Sequence, residues 1–179
     1  MPRPLLTATE RWRQFFKCVN RFMLLMWRLG LGRWINAWPA VGGRIMVLGH
    51  TGRSSGLRRQ TPVNYAQISG EVYCTAGFGP RCDWYRNMLA NPQVEVWLPD
   101  GRWSGRAEDV SECDEHLSRL RQVLIASGFA AHLAGINPRT ISDEQLAAAS
   151  PDYRLIRIRR TEAEPARAVS SAEPRTPDS

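Results

Sequence analysis

The stretch VLGHTGRSSGLRRQTP, Val47 to Pro62, constrains this chain more than any other. Ile45 to Leu48 reads as a short buried strand that runs straight into a turn of small, polar and cationic residues. TPVNYAQI, Thr61 to Ile68, then resumes as a second strand with partial alternation. A strand–turn–strand unit excludes two nucleotide-binding folds. A Rossmann unit needs GxGxxG opening a helix, a Walker loop needs GxxxxGK followed by Ser or Thr, and neither pattern is present. The turn does offer an anion site. Gly52 and Gly56 let backbone amides approach a ligand closely. Thr51, Ser54 and Ser55 add hydroxyls, and Arg53, Arg58 and Arg59 add guanidiniums suited to phosphate or carboxylate. As a bare pattern this is equally that of an ordinary surface hairpin.

The elements that follow are short and mostly extended. Ser69-Gly70 signals a hairpin into a third strand, Val72 to Ala76, which GFGP breaks at Gly77 to Pro80. Asp83 to Leu89 reads as a short helix capped by Asp83 and ended before Asn91-Pro92. Val94 to Leu98 and Trp103 to Val110 are strands four and five, joined through the tight-turn pair Asp100-Gly101. Ser111 opens a helix to about Ser127 with Leu117, Leu120, Val123 and Leu124 inward, and a weaker helix covers Ser142 to Ala149. Tyr153 to Ile158 is a last alternating strand. Hairpin-linked strands with helices to the sides predict an α+β fold, a small β-barrel of about six mostly antiparallel strands. The spans are 1–40 for an N-terminal amphipathic helix and connector, 41–160 for the barrel domain, and 161–179 for a Pro-, Ala-, Glu- and Ser-rich tail expected to be disordered.

The net charge of +7 is uneven: eleven Lys/Arg but one acid, Glu10, fall within residues 1–59. Such asymmetry points to an anionic partner. Thr9 to Leu29 reads as a helix whose stripe is Trp12, Phe15, Phe16, Val19, Phe22, Met23 and Met26. Its all-apolar run, Phe22 to Trp27, is six residues, against about 20 needed to span a bilayer. The helix packs on its own domain or lies in a membrane interface, with Trp34 and Trp38 beyond it suited to an interface or a pocket lid. Nucleic acid is not expected, because no DNA- or RNA-reading motif accompanies the arginines. The four cysteines are irregularly spaced with no CxxC pair, so no metal is expected, and with no secretory signal they read as reduced thiols of a cytoplasmic protein.

Taken in order, GHTGRSSGLRRQTP, then TAGFGP, then CDWYRNMLANPQVEV resemble the deazaflavin (F420)-dependent nitroreductase family of the flavin-binding split-barrel superfamily, over residues 41–160. The resemblance implies a split barrel, coenzyme F420 (with FMN in some relatives) and hydride transfer to a small apolar acceptor of quinone, nitroaromatic or enone type. Carried over by motif, it implies that Arg53, Ser54, Ser55, Gly56, Arg58 and Arg59 hold the coenzyme's phosphate and glutamate tail, beside Thr61 and Pro62 of the RxTP-like strand. Thr75, Ala76, Gly77, Phe78 and Gly79 match its coenzyme loop, and Trp84, Tyr85 and Asn87 its helix motif. Ser54 stands where the family usually has a basic residue, and His50 where it commonly has Thr. The hydride chemistry belongs to the coenzyme. Tyr65, with Tyr153 second, is the expected proton donor or oxyanion stabiliser for the acceptor. The rival reading is a non-catalytic barrel that binds a coenzyme or haem-like ligand. Barrels of this class resemble dimers; if the N-terminal helix lies in a membrane interface rather than on its own domain, it would reach the inner face of the cell membrane.

Overall fold

The computed structural model describes residues 20–31, 43–128 and 137–161. Six strands close a barrel in the order β1-β2-β3-β6-β5-β4, every neighbour antiparallel. They are β1 Ile45–Thr51, β2 Arg58–Ile68, β3 Glu71–Ala76, β4 Gln93–Leu98, β5 Gly101–Asp109 and β6 Arg154–Arg160. Closure leaves the body of the sheet without free edges. The β2–β3 hairpin turns through Ser69 (φ 53°) and Gly70 (φ 82°), the two left-handed residues that a tight turn needs to match strand twist.

Alternation fills the barrel. Met46 and Leu48 of β1, Val94, Val96 and Leu98 of β4, and Ile156 and Ile158 of β6 meet in one buried cluster. The residues between them point outward and find other partners. Val47 and Trp97 pack under Trp27, and Leu155 joins Ala66, Tyr73 and Val123 beneath the helix His116–Ala126. The helix Asp83–Ala90 drops Tyr85 and Met88 into the barrel cluster. The helix Asp143–Ala149 begins in a capping box between Ser142 and Gln145.

Three expectations shift. Asp83 does not cap its helix: Cys82 holds the cap position, and Asp83 lies in the first turn with its carboxylate turned to Arg53. Ser111 does not open a helix, which starts at His116 instead. The Ser111 hydroxyl donates to Asp109 Oδ1 and accepts the Leu155 N–H at 2.8 Å, tying β5 to β6. The strands β1 and β2 run past their apolar cores, to Thr51 and from Arg58, because each continues to pair with the other.

Residues 20–28 are helical, and Trp27 and Leu24 face the barrel while Phe22 is 61% exposed, so Phe22 does not belong to the packed stripe. The earlier part of that predicted helix, the connector with Trp34 and Trp38, and the tail beyond Thr161 lie outside the described residues.

Candidate functional site

The pairing pattern explains where the opening turn sits. β4 meets β1 only at Val47 to Gly49, and β3 meets β2 only from Tyr65 to Ile68. His50, Thr51 and Arg58 to Thr61 therefore pair only across β1 and β2, as a two-stranded ribbon rising beyond the barrel rim. Pro62 fits here because β3 does not reach it, so its missing N–H removes no ladder bond. The ribbon ends in the turn Gly52–Leu57, closed by Gly52 N–H to Leu57 O (2.9 Å) and Gly56 N–H to Gly52 O (2.8 Å). Gly56 (φ 65°) takes the left-handed conformation. A Cβ on Gly52 would stand 2.7 Å from Ser55 Oγ and 3.1 Å from Arg59 Nε. Glycine at that position keeps the serine hydroxyl and the guanidinium folded over the backbone.

An isolated two-stranded ribbon is marginal in water. This one is held by the helix Asp83–Ala90. Asn87, 3% exposed, accepts at Oδ1 both the Arg53 backbone N–H (3.1 Å) and Arg53 Nη1 (3.0 Å). Both are obligate donors, so the Asn87 amide nitrogen must point the other way, to His50 Nδ1 at 3.2 Å. His50 Nδ1 is then the acceptor and its Nε2–H donates to Thr61 Oγ1 at 3.1 Å. A neutral imidazole is what this chain requires. Burial, and secondarily the charge of Arg59, push the His50 pKa down to about 4.

Charge at the turn is partly cancelled from within. Arg53 meets Asp83 Oδ1 at 3.3 Å and Arg58 meets Glu95 Oε2 at 3.4 Å. Arg59 forms none of the ion pairs among the described residues. Two concavities flank the ribbon. One, of about 190 Å³, is lined by Gly52, Arg53, Ser54, Ser55, Arg59, Asp83 and Asn87. The other, of about 140 Å³, lies on the Glu95 side, between Gly49, Thr51, Arg58, Gln93 and Ser104. Two guanidiniums and two hydroxyls around a glycine-lined cleft are the donor set of an oxyanion site, so the residues fit the phosphate end of a coenzyme.

The other expected residues are dispersed. Thr61 closes the His50 chain, and Pro62 is buried opposite Val47. Thr75 donates its hydroxyl to Arg154 O (3.1 Å) between β3 and β6, and Ala76 belongs to the barrel cluster. Gly77 lies under the Tyr153 ring, with the phenol oxygen 3.6 Å from where its Cβ would be, and Phe78 is 65% exposed. Gly79 (φ 49°) passes so close to the Asp152 carbonyl that a Cβ would meet it at 2.2 Å. Trp84 is half-buried, edge-on to Tyr85. Tyr85 is core, its hydroxyl bonded to Asp109 and its pKa pushed up to about 12, mostly by burial. Tyr65 is also core, and its backbone N–H meets Arg44 O before the start of β1. The seven residues of β1 separate that level from the turn, about 23 Å at strand rise. Burial raises the pKa of both Tyr65 and Tyr153.

Sequence reading missed Asp83 and His50 as parts of the turn's support. Asp83 and Asn87 share one helix face by their i, i+4 spacing, a legible signal. That this face docks on Arg53 is a tertiary fact with no local trace. Among the described residues no group of His, Cys, Asp and Glu is placed to hold a metal.

An F420H(2)-dependent quinone reductase of Mycobacterium tuberculosis is 32% identical over 83 residues, covering 44% of this chain and 55% of that protein. The chain thus spans about half the length of the curated relatives it matches. Among solved structures, an F420-H2 dependent reductase aligns at 20% identity and TM-score 0.49, over 65% of this chain and 94% of that one. A Mycobacterium tuberculosis protein described as conserved hypothetical aligns at 20% identity and TM-score 0.49, over 73% and 78%. The family profile of the F420H(2)-dependent quinone reductases matches residues 26–137, more than half the sequence, and the chain belongs to that family.

Proposed function

We propose that this protein is an F420H2-dependent oxidoreductase that passes a hydride to a small apolar acceptor, a quinone first among them. The observation that carries the reading is the glycine-lined turn at the ribbon tip, with Ser54, Ser55, Arg53 and Arg59 around one cleft. Family membership supports the same reading. Bound reduced deazaflavin would supply the hydride itself. The chain's own residues would do the rest. Arg59 and the serine hydroxyls hold the anionic end, and Asn87 fixes Arg53 beneath them. Of the two tyrosines, Tyr153 is the better placed to orient an acceptor oxygen, since it stands over Gly77 of the loop leading to the helix. Its raised pKa keeps the phenol protonated and able to donate a hydrogen bond.

The test is titration of the purified protein with F420 and, in parallel, with FMN, followed by turnover of the reduced deazaflavin with quinone and nitroaromatic acceptors. Tighter F420 binding with quinone-dependent oxidation is expected. Tighter FMN binding moves the protein to a flavin branch. F420 binding without turnover by any acceptor favours a coenzyme carrier.

We further infer that residues 20–28 rest in an anionic membrane interface. No helix among the described residues is long and apolar enough to cross a membrane. Phe22, Leu25 and Leu29, at i, i+3 and i+7, are 61, 53 and 63% exposed, opposite the face that holds Trp27. Arg21 lies beside them, as a headgroup-facing cation would, while Arg28 reaches Gln60 Oε1 at 3.4 Å. Co-sedimentation with anionic vesicles, lost on Phe22→Ser with Leu25→Ser, is expected. A stable homodimer that hides this stripe and ignores vesicles would contradict it.

A further inference from the structure

Asp83 pairs with Arg53 from the first turn of its helix, and it also faces the cleft. The cleft at the ribbon tip is built to attract an anion, yet a carboxylate forms part of its wall. Asp83 is 75% exposed and does not cap its helix, so its structural part is confined to the first helical turn and the ion pair with Arg53. Its Oδ1 lies 3.3 Å from both Nη1 and Nη2 of Arg53, so it draws on the guanidinium that faces the cleft. The charged side chains lining this cleft are Arg53, Arg59 and Asp83, a net charge of one positive unit. The neighbouring Arg58 is paired with Glu95, and His50 is uncharged at neutral pH. The cleft therefore presents one uncompensated cation, not three.

That count discriminates between kinds of phosphate. A phosphodiester carries one charge at pH 7 to 8. A phosphomonoester, with a second pKa near 6, carries nearly two. The single excess cation satisfies a diester, whereas a monoester's second charge faces the Asp83 carboxylate. Like-charge placement of this kind rejects a wrong partner without strengthening the right one. We propose that Asp83 is a specificity-determining residue, which makes the ribbon-tip cleft accept a phosphodiester monoanion and disfavour a terminal phosphomonoester dianion. This rests on the reading of the cleft as the coenzyme's anion site. It separates F420, whose tail is joined through a phosphodiester, from FMN, which ends in a monoester.

The experiment compares FMN with riboflavin, which differs only in lacking the phosphate, and uses F420 as a third probe. Each is titrated at pH 8 and low salt against wild type, Asp83→Asn and Asp83→Glu. In wild type the phosphate of FMN is expected to improve binding over riboflavin by no more than about threefold. In Asp83→Asn the FMN-to-riboflavin preference rises about tenfold, the effect of removing one like charge at a partly solvated site. It shrinks again in high salt. Asp83→Glu keeps the wild-type preference, since the charge remains. An unchanged FMN-to-riboflavin preference in Asp83→Asn overturns the proposal, as does an equal rise in Asp83→Glu. If F420 fails to bind wild type, the deazaflavin reading falls, while the flavin pair still decides whether Asp83 screens by charge.

Discussion

The barrel body and the ribbon above it share strands β1 and β2, yet different forces hold them. In the body, Met46 and Leu48 are fully buried and every strand has two neighbours. Stability there comes mainly from apolar burial and ladder closure. Above Gly49 the same strands have only each other, and the side chains turn polar. What fixes the tip is a buried hydrogen-bond chain, Thr61–His50–Asn87–Arg53, and two ion pairs at its flanks. A packed body can tolerate many residues of the right volume. The polar chain tolerates few, because each member fixes the orientation of the next.

Breaking the body should separate from breaking the tip. Ile156→Ala, at a fully buried barrel position, is expected to cost about 2–5 kcal/mol of unfolding free energy. Denaturant melts would read that loss, while coenzyme affinity of the protein that remains folded stays within about threefold of wild type. Asn87→Ala leaves the Arg53 N–H and His50 Nδ1 without their partner. A cost of about 1–3 kcal/mol follows. Here affinity for F420 should fall together with stability, because the turn loses its anchor. Arg59→Ala removes a cation that no described acid pairs with. Stability should hold within about 0.5 kcal/mol, as for most surface changes. F420 affinity should fall about tenfold, with a smaller salt dependence.

The remaining effect is in pH. The His50 pKa of about 4 in the folded protein lies below its usual 6.5. Between those values the unfolded chain binds a proton that the folded chain does not. The contribution of this group is therefore complete above about pH 6.5 and is lost as pH falls toward 4. Asp109 and Glu108, whose carboxyls are held below their usual values, add acid lability of their own. The difference between wild type and His50→Gln isolates the histidine: the variant's stability should fall less steeply from pH 6.5 to 4. A parallel fall would mean that the imidazole is not locked in the neutral form.

The body was far more legible than the tip. Alternation gave all six strands to within a few residues, because Met46/Leu48 and Ile156/Ile158 carry the period of a half-buried sheet. The paired signals Ser69-Gly70 and Asp100-Gly101 gave two hairpins directly. The turn's glycines, hydroxyls and guanidiniums were visible in its composition, but not their wiring. Asn87 was expected beside the coenzyme, and it lines the cleft, but nothing local showed that two Arg53 donors share its oxygen. Asp83 was read as a cap because local rules favour Asp at a helix start, and the nearby guanidinium of Arg53 claims its carboxylate. Tyr65 was singled out by residue type, while strand register sends it to the opposite end of the barrel. Such facts arise from which helix face meets which strand end, and no window of sequence contains both.

The central claim is that the ribbon tip, and not the barrel body, binds the anionic end of the coenzyme. F420 titration followed by tryptophan fluorescence tests it, since seven tryptophans provide signal. Wild type, Arg59→Ala and Ile156→Ala should be compared side by side below their melting temperatures. The account predicts a clear loss of affinity in Arg59→Ala and near wild-type affinity in Ile156→Ala. Equal affinity in wild type and Arg59→Ala would contradict it and place the coenzyme elsewhere.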